Sequence, residues 1–273
     1  MEIINCIICN KDKFVDHISF QKSNSDDIFN LVKCECDFIY LNPRPDSKEI
    51  SKYYNNKYVP HLIESKSFFY SLYKFVQKFT FKWKLKIIEK NSRKINSVLD
   101  IGGGSGAFCE FLKNKGKNAF NYDPYFSESD TLSISDLNEK YDVITLWHSL
   151  EHMHNVNQVF ETINKHLDKN GMLYIAIPNF LAYERKYMKY NWPAYDIPRH
   201  LYHFTPDSIK RLLEKQNFEV VKYYTMIQDT FFNVLVSKDN NFLKKIYILL
   251  KSLTVIFLKK EKSSSILYVC KRI

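Results

Sequence analysis

Residues 97–116 read SVLDIGGGSGAFCEFLKNKG, and this stretch decides the fold. The chain has only six glycines, and four of them are Gly102, Gly103, Gly104 and Gly106. A sequence so sparing with glycine places it where the backbone turns sharply or approaches a ligand. The apolar run SVLDI ahead of the cluster predicts a strand. AFCEFLKNKG behind it predicts a short helix stopped by Gly116. Strand, glycine loop and helix, in that order, open a nucleotide-cofactor fold.

The alternation continues downstream. NAFNYD (118–123) predicts a second strand, TLSI (131–134) a weak third, YDVITLW (141–147) a fourth and MLYIAIP (172–178) a fifth. VNQVFETINKHL (156–167) has helical spacing, and TPDSIKRLLEKQNF (205–218) is a helix with Thr205 as N-cap and Pro206 at its first position. FEVVKYYTMI (218–227) and ILYVCKRI (266–273) supply two final strands. The fold class is therefore α/β: a Rossmann-like, seven-stranded sheet with helices on both faces.

Gly102, Gly104 and Ala107 also satisfy the dinucleotide spacing G-x-G-x-x-A, which alone is weak evidence. Asp100 discriminates. A carboxylate at the strand end repels a pyrophosphate and attracts a cationic amino group. Asp123 ends the second strand, at the distance where an acid takes ribose hydroxyls. The pattern from Asp100 to Gly106, D-x-G-x-G-x-G, resembles the first motif of class I S-adenosyl-L-methionine (AdoMet)-dependent methyltransferases. With VLDIGGGSGAF, YDVITLWHSLEHMHNV, GMLYIAIPN and YDIPRHLYHFTPDSIKRLLEKQNFEV in this order, the chain is similar to small bacterial methyltransferases of sugar, surface-glycan and secondary-metabolite pathways. The resemblance implies AdoMet as cofactor, bound by Asp100, Gly102, Gly104, Gly106, Asp123, Leu146 and Trp147.

His148-x-x-Glu151-His152 has a spacing that also occurs in zinc peptidases. Here it follows directly on the apolar strand, leaving no room for a helical turn before His148, and it lies where open α/β sheets bind ligands. A substrate-facing loop is expected. If that loop passes into a helix, His148, Glu151 and His152 share one face. The acceptor hydroxyl of a methyl transfer must lose its proton, which calls for a base or a metal. RNA-terminal ribose and ubiquinone-pathway methyltransferases have a similar Glu-x-x-Glu-His loop that binds a metal. This chain departs from it at His148, so metal-free base catalysis is the expectation and a catalytic divalent metal stays open. His200 and His203 form a second cluster, with His200 the next candidate base. Tyr195 and Arg199 are candidates to hold a diol or a phosphate, and His154 and His203 are expected to be structural.

Cys6-x-x-Cys9 and Cys34-x-Cys36, two close pairs, look like a zinc ribbon whose thiolates hold a tetrahedral structural ion. Related methyltransferases often begin with paired cysteines and a phrase like YLNPRPDSKEISKYY, usually with two residues inside the second pair; here only Glu35 intervenes. Either the loop closes tightly, or His17 substitutes, or the site has decayed. The expected organisation is a zinc-ribbon-like module over 1–45, a helical cap over 46–95 and a methyltransferase domain over 96–273.

With 273 residues the chain can bury a proper core, and a hydrophobic content of 45% is globular. A net charge of +10 invites an anionic partner or reflects a Lys-rich codon bias, the basic residues being dispersed. No apolar leader or membrane span is read, so the expectation is cytoplasmic, with thiols rather than disulfides. The insertion FLKKIYILLKSLTVIFLKKEK (242–262) puts Phe242, Ile246, Leu249, Leu250, Leu253 and Phe257 on one helical stripe. Packing on the domain or a partner subunit is expected, with membrane-surface contact as the alternative. The acceptor expected is a sugar, nucleotide-sugar or lipid-linked glycan. RNA methylation and a non-catalytic AdoMet-binding role are the rivals, and the oligomeric state is left open.

Overall fold

The computed structural model describes residues 1–21, 27–54, 68–123, 137, 139–239 and 241–273, the side chains of 68–75 excepted. The chain opens with β1 (Phe14–Gln21), β2 (Ile28–Cys34) and β3 (Ile39–Leu41), each antiparallel to the next. Helix α1 (Phe68–Asn91) leads into β4 (Ser97–Ile101), α2 (Ala107–Lys113), β5 (Asn118–Tyr122) and β6 (Tyr141–Trp147). Then come α3 (Val156–His166), β7 (Leu167–Pro178), the one-turn α4 (Arg185–Met188) and the short β8 (Tyr202–His203). The chain ends with α5 (Pro206–Lys215), β9 (Phe218–Thr225), α6 (Ile227–Val236), α7 (Phe242–Leu258) and β10 (Ser265–Arg272).

The main sheet runs β5-β4-β6-β7-β10-β9. β5, β4, β6 and β7 are parallel, and β10 runs antiparallel to both its neighbours. The third strand expected at 131–134 falls outside the described residues. Every residue of β6 is buried, which is why YDVITLW is near-continuously apolar: a central parallel strand is covered on both faces. From β4 the chain turns first outward to β5 and then back across to β6. The carboxyl ends of β4 and β6 therefore flank a topological switch point, where such sheets hold ligands.

The N-terminal strands do not close on themselves. β8, from far along the chain, completes their sheet through Ile39 opposite His203 and Tyr40 opposite Tyr202. One apolar core packs Cys6, Phe38 and Tyr40 together with Leu146, Leu201 and Phe204. A second core, on the other side of the main sheet, joins Ile88 of α1 to Val98, Phe108 and Trp147. Helix α5 begins as expected: Thr205 Oγ1 accepts from Ser208 N–H, the Ser208 side chain accepts in return from Thr205 N–H, and Pro206 follows the cap.

One expectation fails between β9 and β10, and a second narrows to a partner subunit or a membrane surface. The strand expected to reach 227 ends at Thr225, and Ile227 opens α6. In α7 the buried residues are Ile248, Ser252 and Ile256, whereas Phe242, Ile246, Leu250 and Phe257 of the expected stripe are exposed. Helical periodicity identifies a row of apolar residues, but it does not say which row is covered. Among the described residues, no helix is long and apolar enough to cross a membrane.

Candidate active site

The glycine loop owes its course to backbone freedom and close quarters. Gly102, Gly104 and Gly106 have φ of +74°, +55° and +72°, a region that costs other residues about 1–2 kcal/mol. Gly102 N–H donates to Tyr122 O at 2.7 Å, and Gly104 N–H donates to Asp123 Oδ2 at 2.8 Å. Asn121 Nδ2 donates to Gly104 O at 2.8 Å. The loop is thus tied to the end of β5. A methyl group on Gly103 would lie 2.3 Å from Asn121 Oδ1 and 2.6 Å from Asp100 Oδ2, whereas one on Gly104 meets nothing within 4 Å.

Asp100 is buried and accepts a 2.6 Å hydrogen bond from Thr145 Oγ1. Burial, partly offset by that bond, lifts its carboxyl to about 6, so it is charged at neutral pH. Trp147 ends β6 edge-on to Phe108, with ring centroids 5.7 Å apart, and belongs to the core on the α1 side. Leu146 faces the opposite core and is fully buried. Sequence reasoning missed Lys84 of α1, whose Nζ lies 4.2 Å from the Trp147 ring. Burial lowers this ammonium to about 8, against the pull of Asp100 and then Asp229. Three regularly spaced lysines in KWKLK carry no signal that singles it out.

Two acids, three left-handed glycines and a loop position closed to any Cβ make a cradle for a cationic, ribose-bearing ligand. Two buried polar atoms around it, Asn121 Oδ1 and Trp147 Nε1, have no hydrogen-bond partner among the described residues. This donor and acceptor set fits AdoMet.

His148 has φ of +53° and donates its N–H to Ala176 O at 2.9 Å. Such a backbone costs a non-glycine residue of order 1–3 kcal/mol. Its Nε2 is 2.9 Å from Asp229 Oδ2 of α6, and its Nδ1 is 3.5 Å from Glu151 Oε1. Burial disfavours the charged ring, but Asp229 and then Glu151 outweigh it and lift the imidazole to about 10. His148 is therefore cationic at neutral pH, which makes it a poor base. Asp229 was also missed, although it is the only acid in the run 220–238.

The expected shared face does not form, because only a short 3-10 turn, Leu150–His152, follows His148. His148 turns to α6, while His152 packs against His200, with ring centroids 4.6 Å apart at 76°. His152 Nδ1 meets Arg199 O at 3.0 Å, and His200 Nδ1 meets Ala194 O at 2.9 Å. A carbonyl only accepts, so His200 carries a proton on Nδ1; His152 Nδ1 also lies 3.1 Å from Tyr54 Oη, a hydroxyl that can donate or accept there. Glu151 is fully buried, and neither of its oxygens has a hydrogen bond among the described residues. One ligand atom from each of Glu151, His152 and His200 lies within 4.8 Å of the others. The same set has the spacing to hold a divalent ion. Burial, and then the neighbouring His200, lower His152 to about 4, so it is neutral.

Tyr195 and Arg199 are engaged elsewhere: Arg185 Nη1 donates to Tyr195 Oη at 3.0 Å, and Arg199 pairs with Asp196. His154 Nε2 lies 3.0 Å from Pro45 O, and His203 is buried in β8.

At the N-terminus, Cys6 Sγ lies 3.5 Å from Cys36 Sγ, and Cys9 Sγ lies 3.4 Å from Cys34 Sγ. All four sulfurs fall within 4.8 Å of one another. A tetrahedral zinc with Zn–S bonds of about 2.3 Å needs S–S edges of about 3.8 Å, so the set fits zinc despite the short Cys34–Cys36 spacing. His17 packs instead near Phe180. Cys109 and Cys270 are buried core residues.

The family profile described as "Methyltransferase domain" matches residues 72–223. That is more than half the chain, and the protein belongs to this family: it is an AdoMet-dependent class I methyltransferase. Solved structures similar to it include a SAM-dependent methyltransferase from Archaeoglobus fulgidus, at 20% identity over 73% of this chain and 100% of that one, with a TM-score of 0.45. Another is magnesium protoporphyrin IX methyltransferase from Synechocystis PCC 6803 with bound SAH, at 12% identity over 82% and 92%, with a TM-score of 0.45. No curated protein sequence matches.

Proposed function

We propose that the enzyme methylates a hydroxyl oxygen of a sugar or glycan intermediate of surface polysaccharide synthesis. The observation that carries this reading is the cluster beside the switch point. Glu151, His152 and His200 bring a buried carboxylate and two imidazoles together. A polyol offers hydroxyl donors to such a set, and an unsatisfied buried acceptor costs about 1–3 kcal/mol. The resemblance to glycan-pathway methyltransferases points to the same acceptor.

Bound AdoMet supplies an electrophilic methyl group on a sulfonium. The chain's task is to orient the acceptor hydroxyl and take its proton. His200 Nε2 receives that proton, and Asp196 Oδ2, 3.7 Å away, stabilises the imidazolium that forms. His152 stays neutral and accepts a second hydroxyl. Glu151 anchors the cluster against the cationic His148. A base so placed is worth roughly 10²–10⁴ in rate, and no metal is required. On the same reading, Asp100, Asp123 and the glycines bind the cofactor, and the four N-terminal cysteines hold a structural zinc.

The test is methyl-labelled AdoMet incubated with the protein and a host extract split into nucleotide-sugar, lipid-glycan and RNA fractions. Label in a sugar-bearing fraction supports the reading. Label confined to RNA overturns it, and a protein that binds AdoMet yet labels nothing would be a non-catalytic partner.

A further inference from the structure

Helices α6 and α7, inserted between β9 and β10, carry an apolar surface that the other described residues leave open. Phe257 is 87% exposed, Leu258 74% and Leu243 77%; Phe232 and Leu235 of α6 are exposed as well. Residues 240–262 hold six lysines and one acid, Glu261. Lys244 pairs with Asp239, and Lys245 donates to Leu235 O and Ser237 O at the end of α6. Lys259 and Lys262 instead line a pocket of about 460 Å³ between the end of α7 and the segment that runs into α4. Arg185 and Lys186 form its other wall, Val255 and Leu258 form an apolar side, and among the described residues no carboxylate lines it. Arg185 donates through Nη1 to Tyr195, and its guanidinium stacks on Phe180 at 3.8 Å.

A pocket lined by four cations calls for an anion with several acceptor oxygens, such as a phosphate. Its rim carries Leu258, and Phe257 stands beside it on the exposed helix, so apolar surface begins where the charge ends. We infer that this is a docking site for the phosphate headgroup of an anionic membrane lipid, with the exposed side of α7 lying in the lipid interface. The charge complementarity selects a membrane surface over a second copy of this chain, which would oppose lysines to lysines. The inference narrows the proposed acceptor to one carried at a membrane. Its test reads partition rather than methyl transfer, so either claim can fail without the other.

The experiment is flotation of the full chain at about 0.1 M salt with vesicles of phosphatidylcholine alone or containing phosphatidylglycerol, alongside a calorimetric titration with inorganic phosphate. Binding is expected only to the phosphatidylglycerol vesicles. One lysine near an anionic surface changes partition roughly five-fold, so K259A/K262A should lose roughly 30-fold. L250S/F257S should weaken vesicle binding and leave phosphate binding intact, since neither side chain lines the pocket; all four replaced side chains lie at or near the surface, and unchanged melting confirms the fold. Equal partition to both vesicle types, or none, overturns the inference. So does phosphate binding without vesicle binding, or a concentration-dependent dimer in sedimentation that L250S/F257S abolishes.

Discussion

Replacing Gly103 by alanine isolates the packing of the glycine loop from its chirality, because the clash there is purely steric. The new methyl would sit 2.3 Å from Asn121 Oδ1 and 2.6 Å from Asp100 Oδ2. Neither neighbour yields easily: Asp100 is buried and held by Thr145 at 2.6 Å, and Asn121 is held by Gly104 O at 2.8 Å. Overpacking of this kind costs about 1–3 kcal/mol. Relief requires the loop, Asn121 or Asp100 to move, and AdoMet must reverse that shift in order to bind. Affinity should therefore drop roughly 5- to 150-fold. Gly104→Ala is the control. Its methyl meets open space, but φ of +55° strains free and bound protein alike, so the cost of about 1–2 kcal/mol should lower the melting temperature more than the affinity. Isothermal titration with AdoMet reads both variants. A Gly103→Ala protein that binds within two-fold of the wild type refutes the cradle.

Other expectations concern charge. AdoMet affinity should weaken as pH falls through about 6, where the Asp100 carboxylate takes up a proton; titrations between pH 5 and 7.5 should show the slope in the wild type and a flat, weak response in Asp100→Asn. The raised His148 imidazole contributes stability in full below its unfolded value of about 6.5 and loses it as pH rises towards about 10. The melting-temperature gap between wild type and Asp229→Asn should accordingly shrink across that window. His200→Ala should slow labelling of the active extract fraction by roughly 10²–10⁴ with AdoMet affinity unchanged, and chelation with EDTA should leave the wild-type rate within a few-fold if no catalytic metal is required. Cys9→Ser should lower zinc content, measured by mass spectrometry, from about one ion per chain.

The glycine loop was legible because glycine is scarce, so four of six within five residues had to mean backbone geometry. The fully buried β6 and the capped start of α5 were legible for equally local reasons. The contacts that set the chemistry were not. His148 meets Asp229 only because α6 folds back over the end of β6, and no local period records that approach. The missing clue was weaker: an acid alone in an apolar run. β8 is two residues long, too short for any alternation to show, yet it joins the N-terminal sheet to the main domain and helps set His200 beside His152. In α7 the periodicity was real but ambiguous, since the covered row runs through Ser252 and leaves the larger side chains outside.

The most direct test of the central claim is the chemical position of the transferred methyl group. Labelled product from the sugar-bearing fraction would be hydrolysed and its methylated component resolved by mass spectrometry. The account predicts a monosaccharide methylated on oxygen, lost when His200 is replaced. A methyl group on nitrogen or carbon, or on a ribonucleoside, would contradict it.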